Sequence, residues 1–232
     1  KLPSKAGLKY RDAFLRHEEL CTRYVEFIDN KNSKINAKTL YPYDIVRNVW
    51  KCGYFYDSSK RRVLDKYWKA LPDYFEGKPC SILPVVDNSG SMTWNENGGV
   101  IPIDVAVSLG IYCAERNVGD FHNHYISFSR TPKLVEIKGN DIVGKAYSAV
   151  KNILYEETNI EAVFDLILNT LKKNNLSEEY LPKHIVIISD MEFDEGTNCN
   201  DSETLMERIR KQWKKEGYTM PNLVYWNVCS RR

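Results

Sequence analysis

The stretch from Ser81 to Met92 reads SILPVVDNSGSM, an apolar run followed directly by a cluster of polar side chains. The apolar part has the length of a fully buried parallel strand, and the polar residues come where such a strand ends. In open α/β sheets, ligands bind in the crevice beyond the carboxyl ends of the strands. We therefore expect a site on the loop that carries Asp87, Ser89 and Ser91.

These three side chains offer one carboxylate and two hydroxyl groups, so all of their ligand atoms are oxygens. Oxygen ligands suit hard divalent cations and argue against zinc or copper. The sequence thus predicts a site for a divalent metal ion. Mg²⁺ is the preferred ion, with Mn²⁺ or Ca²⁺ as alternatives.

The pattern Asp87-x-Ser89-x-Ser91 after an apolar strand resembles the metal-ion-dependent adhesion site (MIDAS) of von Willebrand factor A (vWA) domains. That family completes its site with a threonine from a second loop and an aspartate after a later strand. Thr158 is expected to cap a predicted helix, and Asp190 ends an apolar run, in the matching order. The resemblance implies that these five residues hold the ion. It also implies an open coordination position for an acidic group of a protein partner.

Four more residues flank this set in the sequence. Asn88 and Trp94 belong to the Asp87 loop, and Trp94 is placed to line a binding surface at its rim. Glu192 and Asp194 follow Asp190 closely. These two acids either support the ligands from behind or are ordinary loop acids, and we prefer the second interpretation because strand-end loops often carry acids.

The spacing of apolar residues changes near residue 79. Before that point it predicts three amphipathic helices, over residues 8–28, from Pro42 and after Ser59. Residues 1–78 thus form a small all-helical region, which we expect to be the end of a larger helical domain. Four tryptophans on apolar faces are expected in the core: Trp50, Trp68, Trp213 and Trp226.

Residues 79–232 alternate between short apolar runs and amphipathic stretches in the order β-α-β-β-α-β-α-β. That order predicts an α/β fold with a doubly wound, mostly parallel, Rossmann-like sheet and a hairpin at one edge. It is also the order of a vWA domain up to the fifth strand. A full vWA domain continues with a helix, a strand and a final helix, so we expect the domain here to lack those elements.

Three segments carry a narrower resemblance: PKHIVIISDMEFD (182–194), PNLVYWNV (221–228) and KINAKTLYP (34–42). They are similar to an uncharacterised family of plants, bacteria and large DNA viruses whose members couple a helical region to a vWA-like domain. More distantly, the chain resembles the Ro ribonucleoprotein (TROVE) family, in which a ring of helical repeats binds structured RNA beside a vWA domain. The resemblance implies an architecture and a site, and it does not name an activity.

Charge is distributed unevenly along the chain. Residues 1–79 contain 17 Lys and Arg against 10 Asp and Glu, a net charge of +7, and the rest of the chain carries −5. A basic helical region favours RNA as an alternative partner, with Lys60, Arg61 and Arg62 as candidate contacts to phosphates. We weigh this against the simpler interpretation of a solvated helical surface, which we prefer.

Signatures of catalysis are weak. The sequence has no Gly-rich phosphate loop and no G-x-S-x-G frame, so we expect a binding protein and not an enzyme. Asp87, Asp190 and Asp194 leave a metal-dependent phosphotransfer enzyme or nuclease as a further alternative. His122 and His124 also suggest a metal pair, but no third histidine or cysteine ligand lies nearby in the sequence.

Six cysteines without a C-x-x-C pair predict a reducing, intracellular compartment, which we take to be the cytoplasm. No apolar run reaches the length of a membrane span, so no membrane partner is expected.

Overall fold

The computed structural model of the chain describes residues 3–50, 58–94, 99–151, 158–191 and 204–229. The chain forms two compact units. The first comprises Lys1–Lys78 and Lys138–Val150, and the second comprises Pro79–Ile137 and Lys151–Arg232. The first unit is helical and the second contains the sheet.

The helices of the described residues are α1 (Ser4–Arg16), α2 (Glu18–Asp29), α3 (Pro42–Trp50), α4 (Ser58–Lys69), α5 (Pro102–Arg116), α6 (Ile142–Val150), α7 (Ile160–Lys173) and α8 (Leu205–Lys215). The strands are β1 (Ile82–Asp87), β2 (His124–Phe128), β3 (Lys133–Glu136), β4 (His184–Ser189) and β5 (Asn222–Asn227).

The five strands lie in one sheet in the order β3-β2-β1-β4-β5, and all neighbours are parallel except the β2–β3 pair. β1 lies in the centre, with Val85 opposite Ile126 of β2 and Ile187 of β4. Strands this apolar are stable in the middle of a parallel sheet because both of their faces are covered. The predicted α/β class, with its mostly parallel sheet and edge hairpin, is therefore confirmed.

Helices α7 and α8 supply much of the core of the second unit. Phe164 and Trp213 meet edge to face with their ring centroids 6.2 Å apart, an arrangement that aromatic pairs prefer. One face of each of the strands β1, β2 and β4 joins the same buried cluster, through Leu83, Val85, Ile126, Phe128, Ile185 and Ile187. The strands that end at the predicted site are thus fixed by a continuous core.

Helix α5 packs on β1 at very close range. A Cβ atom added at Gly110 would lie 2.5 Å from Cγ2 of Val86, so the helix approaches the strand only because residue 110 has no side chain. Val86 immediately precedes Asp87. The close packing of α5 on Val86 therefore helps to hold the end of the central strand in position.

Substituting Gly110→Ala is expected to destabilise the protein by about 1 kcal/mol, because overpacking costs more than the gain in helix propensity. Urea unfolding measures the change. In a Val86→Ala background, where the colliding methyl group is gone, the same substitution should be neutral or stabilising. A loss of equal size in both backgrounds would contradict the close approach.

In the helical unit, α6 packs on α3 and α4. Trp50 and Tyr147 meet edge to face at 5.7 Å between ring centroids. The sequence did not predict that residues 138–150 belong to this unit. They lie far along the chain from its other helices, and only tertiary contacts bring them there.

The N-terminus of α6 is held by two carboxylates of the helical unit. Asp141 accepts the Gly144 N–H at 2.7 Å, as an N-cap side chain does, and Asp65 of α4 accepts the Ile142 N–H at 3.1 Å. Arg61 of α4 donates to both oxygens of Asp141, at 2.9 and 2.8 Å. α4 thus binds α6 through charged hydrogen bonds directed at its N-terminus.

Two local expectations differ from the structure. The single helix predicted over residues 8–28 is divided at His17, whose extended backbone separates α1 from α2. Glu18 and Glu19 then occupy the first turn of α2, where the helix dipole favours negative charge.

Trp226 is 47% exposed on the edge strand β5 and is not a core residue, whereas Trp68 and Trp213 are buried as predicted.

No helix in the described part of the chain is long and apolar enough to cross a membrane. Among the same residues, Cys21, Cys80, Cys113 and Cys229 are free thiols. Burial raises the pKa of the Cys113 thiol to about 12, which keeps it protonated and unreactive near neutral pH.

Candidate metal site at the carboxyl edge of the sheet

Asp87 is the last residue of the central strand, and its side chain is fully buried. Its Oδ1 accepts the backbone N–H of Ser89 at 2.9 Å, and its Oδ2 accepts the hydroxyl of Ser189. Both carboxylate oxygens are therefore held by donors from two different strand ends. Asp87 is therefore a fixed, buried carboxylate and not a solvated loop residue.

The two serines of the motif lie on a short 3₁₀ turn, Gly90–Thr93, that follows Asp87. The hydroxyl oxygens of Ser89 and Ser91 are 3.1 Å apart. Met92 of the same turn is fully buried and anchors the loop against the protein. The structure thus brings together the first three predicted ligands, Asp87, Ser89 and Ser91, on one anchored loop.

Asp190 follows β4, the neighbour of β1 in the sheet, and is also buried. Val86 is opposite Ile188, so Asp87 and Ser189 are the next residues on the two strands and Asp190 comes one residue later. The carboxylates of Asp87 and Asp190 are therefore placed at the same edge.

The pKa of Asp87 is raised above its usual value. Burial is the largest cause, and the negative charge of Asp190 raises it further, while hydrogen bonds from Ser189 and Ser89 act in the opposite direction. Burial is thus the main cause of the shift, and the charge of Asp190 is the smallest contribution. Two carboxylates buried at the same sheet edge repel each other when both are ionised. A bound cation or a proton removes this repulsion.

Thr158 lies two residues before α7 and is buried. A helix that precedes a parallel strand runs antiparallel to it, and 14 residues of α7 span about 21 Å, close to the length of β4. The N-terminus of α7 is therefore brought back to the edge where β4 ends. We expected Thr158 to cap this helix, but the N-cap is Asn159, whose side chain accepts the Ala162 N–H at 3.0 Å. The Thr158 side chain is not the cap of α7.

Of the four flanking residues, the structure describes Asn88 and Trp94. Asn88 is buried, and its Oδ1 has no hydrogen-bond partner in the described part of the chain. Trp94 is 59% exposed at the end of the Asp87 loop, as a residue on a binding rim would be. Glu192 and Asp194 lie outside the described residues.

Sequence reasoning missed Ser189. Its side chain is fully buried and donates to Oδ2 of Asp87, and its Oγ also accepts the Met191 N–H at 2.9 Å. Met191 has a positive φ of 66°, which is uncommon for a residue with a side chain. The available signal was a hydroxyl residue closing the apolar run Ile185–Ile188, because a buried polar group needs a partner.

The donor set fits a hard divalent cation. It combines two buried carboxylates with serine and threonine hydroxyls, and the buried Asn88 Oδ1 without a partner is one more oxygen nearby in the sequence. The described residues contain no group of three or more His, Cys, Asp or Glu side chains that could hold a metal ion. A site on this edge would therefore depend on hydroxyl oxygens beside its two carboxylates.

The histidine pair has local hydrogen bonds of its own. His122 Nδ1 lies 3.0 Å from the Asn117 carbonyl, and His124 Nδ1 lies 2.8 Å from the His122 carbonyl. Both rings are thus oriented by the backbone. This accounts for their positions without a metal ion.

The predicted phosphate contacts lie on α4, and two of them have acidic partners. Arg61 pairs with Asp141, and Arg62 pairs with Asp29 of α2 at 2.6 Å. Lys60 precedes them on the same helix. The two arginines therefore have structural roles within the helical unit, and contact with nucleic acid stays a prediction.

These features define an α/β protein with a doubly wound, mostly parallel sheet, consistent with Rossmann-like and vWA folds, in a chain that also forms a helical unit. Residues 81–232 match the model of a family described as a domain of unknown function, DUF7788, and the chain belongs to that family.

Over 244 residues the chain is 27% identical to the uncharacterized protein L728 of Acanthamoeba polyphaga mimivirus, covering 98% of this chain and 41% of the viral protein. It is also similar to the crystal structure of the Ro (RSR) protein of Deinococcus radiodurans, with a TM-score of 0.50 and 16% identity. That similarity covers 100% of this chain and 44% of the bacterial one. The chain thus spans less than half the length of either protein. The distant Ro similarity predicted from sequence is confirmed at the level of the fold.

Proposed function

We propose that the second unit is a non-enzymatic protein-binding module whose metal site accepts an acidic side chain of a partner. Asp87, Ser89, Ser91, Thr158 and Asp190 would hold the ion, with Mg²⁺ preferred over Mn²⁺ or Ca²⁺. The observation that carries the proposal is the buried Asp87 carboxylate, held through both oxygens at the sheet edge where Asp190 follows the neighbouring strand.

The electrostatics of this edge support a cation. Two ionised carboxylates that lie close together in a buried place repel each other and destabilise the folded state. A divalent ion removes that repulsion and becomes the largest local charge. When bound, it supplies a positive centre that a partner's Asp or Glu can coordinate.

The donor set favours binding over catalysis. Hydroxyl groups are neutral, so a cation held partly by Ser89, Ser91 and Thr158 keeps more of its positive charge than one held by carboxylates alone. Such an ion attracts a further carboxylate. Trp94, an exposed aromatic on the same loop, is the kind of residue that anchors a protein partner beside it.

A peptide array tests this function. Each spot carries a peptide with one Glu among uncharged residues, and its matched spot carries the same peptide with Gln in place of Glu. We expect wild-type protein to bind a subset of Glu spots in Mg²⁺, and to bind neither the Gln spots nor any spot in EDTA. Asp87→Ala should lose the same subset. Equal binding to Glu and Gln spots would contradict the proposal, and Mg²⁺-dependent turnover of a phosphate ester abolished by Asp190→Ala would point to an enzyme instead.

RNA binding through the helical unit is the second candidate. It is supported by the Ro-like fold and by an open groove of about 610 Å³ beside the end of α2. Its charged lining residues are Lys31, Lys34, Arg62, Lys66, Lys69, Asp29 and Asp65, so basic groups predominate. An RNA gel shift that weakens steeply with salt, and that Lys31→Glu with Lys34→Glu abolishes, would favour this function.

A further inference from the structure

Ser189 has a single hydroxyl proton, and its partners settle where that proton goes. The Met191 N–H approaches its Oγ at 2.9 Å and can only donate, so there Oγ acts as an acceptor. The hydroxyl proton is therefore directed to Oδ2 of Asp87. Ser189 thus connects the carboxylate at the end of β1 to the backbone of the turn that follows Asp190.

The buried hydroxyl of Ser189 has a role beyond packing. Ser189 is fully buried at the end of a strand whose preceding residues, Ile185–Ile188, are all apolar. A small polar side chain contributes less to such a strand than valine or isoleucine would, and its hydroxyl costs free energy to bury unless it is hydrogen-bonded. Ser189 donates one hydrogen bond to Asp87 and accepts the other from the N–H of Met191, the residue after Asp190.

The carboxylate of Asp87 is oriented from two sides. Ser89 N–H holds Oδ1 from its own loop, and the Ser189 hydroxyl holds Oδ2 from the neighbouring strand. A carboxylate has about two acceptor positions on each oxygen. The Ser89 side chain also hydrogen-bonds this carboxylate, so at least one of its acceptor positions is left for another partner, in an orientation that these donors fix.

We propose that Ser189 is a positioning residue for the metal site. Its hydroxyl orients the Asp87 carboxylate and ties the Asp87 loop to the turn that carries Asp190, without contacting the ion itself. This inference rests on the proposed metal-binding function. Residues that orient a ligand from behind commonly contribute 10- to 100-fold to metal affinity.

The test compares four proteins: wild type, Ser189→Ala, Ser189→Thr and Ser189→Val. Threonine and valine have nearly the same shape and differ in the hydroxyl, so this pair separates the hydrogen bond from packing. Mn²⁺ affinity is measured by isothermal titration calorimetry on each folded protein. We expect Ser189→Ala and Ser189→Val to bind Mn²⁺ about 10-fold more weakly than wild type, and Ser189→Thr to retain most of the affinity.

The outcomes separate this inference from the function on which it rests. If wild type binds Mn²⁺ and Ser189→Ala binds it equally well, the positioning role is wrong and the metal site stands. If threonine and valine weaken binding equally, the position matters for packing and the role is again wrong. If wild type binds no Mn²⁺, the proposed function fails and the inference fails with it.

Discussion

Mg²⁺ or Mn²⁺ at about one hundred times its dissociation constant is expected to raise the free energy of unfolding of the wild-type protein by about 2.7 kcal/mol. For a domain of this size, that corresponds to an increase in Tm of about 5 to 10 °C. The proposed site exists only in the folded state, because Asp87 and Asp190 are far apart in the sequence and share one edge only when β1 and β4 pair. Differential scanning calorimetry in Mg²⁺ and in EDTA measures the shift.

Asp87→Asn is the informative variant in this experiment. It should lose the response to metal and, without metal, unfold at a higher temperature than wild type. The pKa of Asp87 is raised on folding, so its contribution to stability is present below the unfolded pKa and is lost as pH rises through the folded pKa. Above the folded pKa the ionised group therefore destabilises the fold. The neutral amide is expected to relieve this by less than about 1 kcal/mol, because it keeps only one of the two oxygens that accept from Ser89 and Ser189.

Asp120→Asn is the matched control. Asp120 is exposed and lies before β2, at the opposite end of that strand from Phe128, which is opposite Asp87. This variant should keep the full metal response. An equal shift in wild type and Asp87→Asn would mean that the ions act elsewhere on the protein, and the assignment of the site would be wrong.

The second unit could be predicted from sequence because its signals are local. The runs that form β1 and β4 are apolar enough to be buried on both faces, and the polar residues that follow mark the strand ends. The edge at which Asp87 and Asp190 meet then follows from topology alone, since adjacent parallel strands end on the same side.

Features that depend on distant contacts could not be predicted in this way. α6 belongs to the helical unit because side chains of α4, about 80 positions earlier, satisfy its N-terminus. Ser189 looked like one more residue of a strand, and its role became visible only beside Asp87. Trp226 has an apolar neighbourhood in sequence, but it lies on an edge strand where burial depends on what covers the sheet.

Breaking the Arg61–Asp141 pair is expected to have the largest effect in the helical unit. Arg61→Ala should lower the free energy of unfolding by about 2 kcal/mol, between the values for exposed and for buried ion pairs. The two side chains are 34% and 22% exposed, and the pair is bidentate. Removing the arginine also takes this partner from the Asp141 carboxylate at the start of α6, whereas Asp65 keeps its pair with Lys69. Urea unfolding measures the loss.

Arg62→Ala is the matched control, because it removes a neighbouring arginine whose own pair with Asp29 is 45% and 43% exposed. Such an exposed pair contributes about 0 to 1 kcal/mol. A double-mutant cycle with Asp141→Asn, which keeps an N-cap side chain at α6, isolates the charge interaction of Arg61. If Arg61→Ala lowers the free energy of unfolding no more than Arg62→Ala does, then α4 does not hold α6 through this ion pair. The same two variants separate folding from RNA recognition, because a direct phosphate contact at Arg62 would weaken RNA binding without a matching loss of stability.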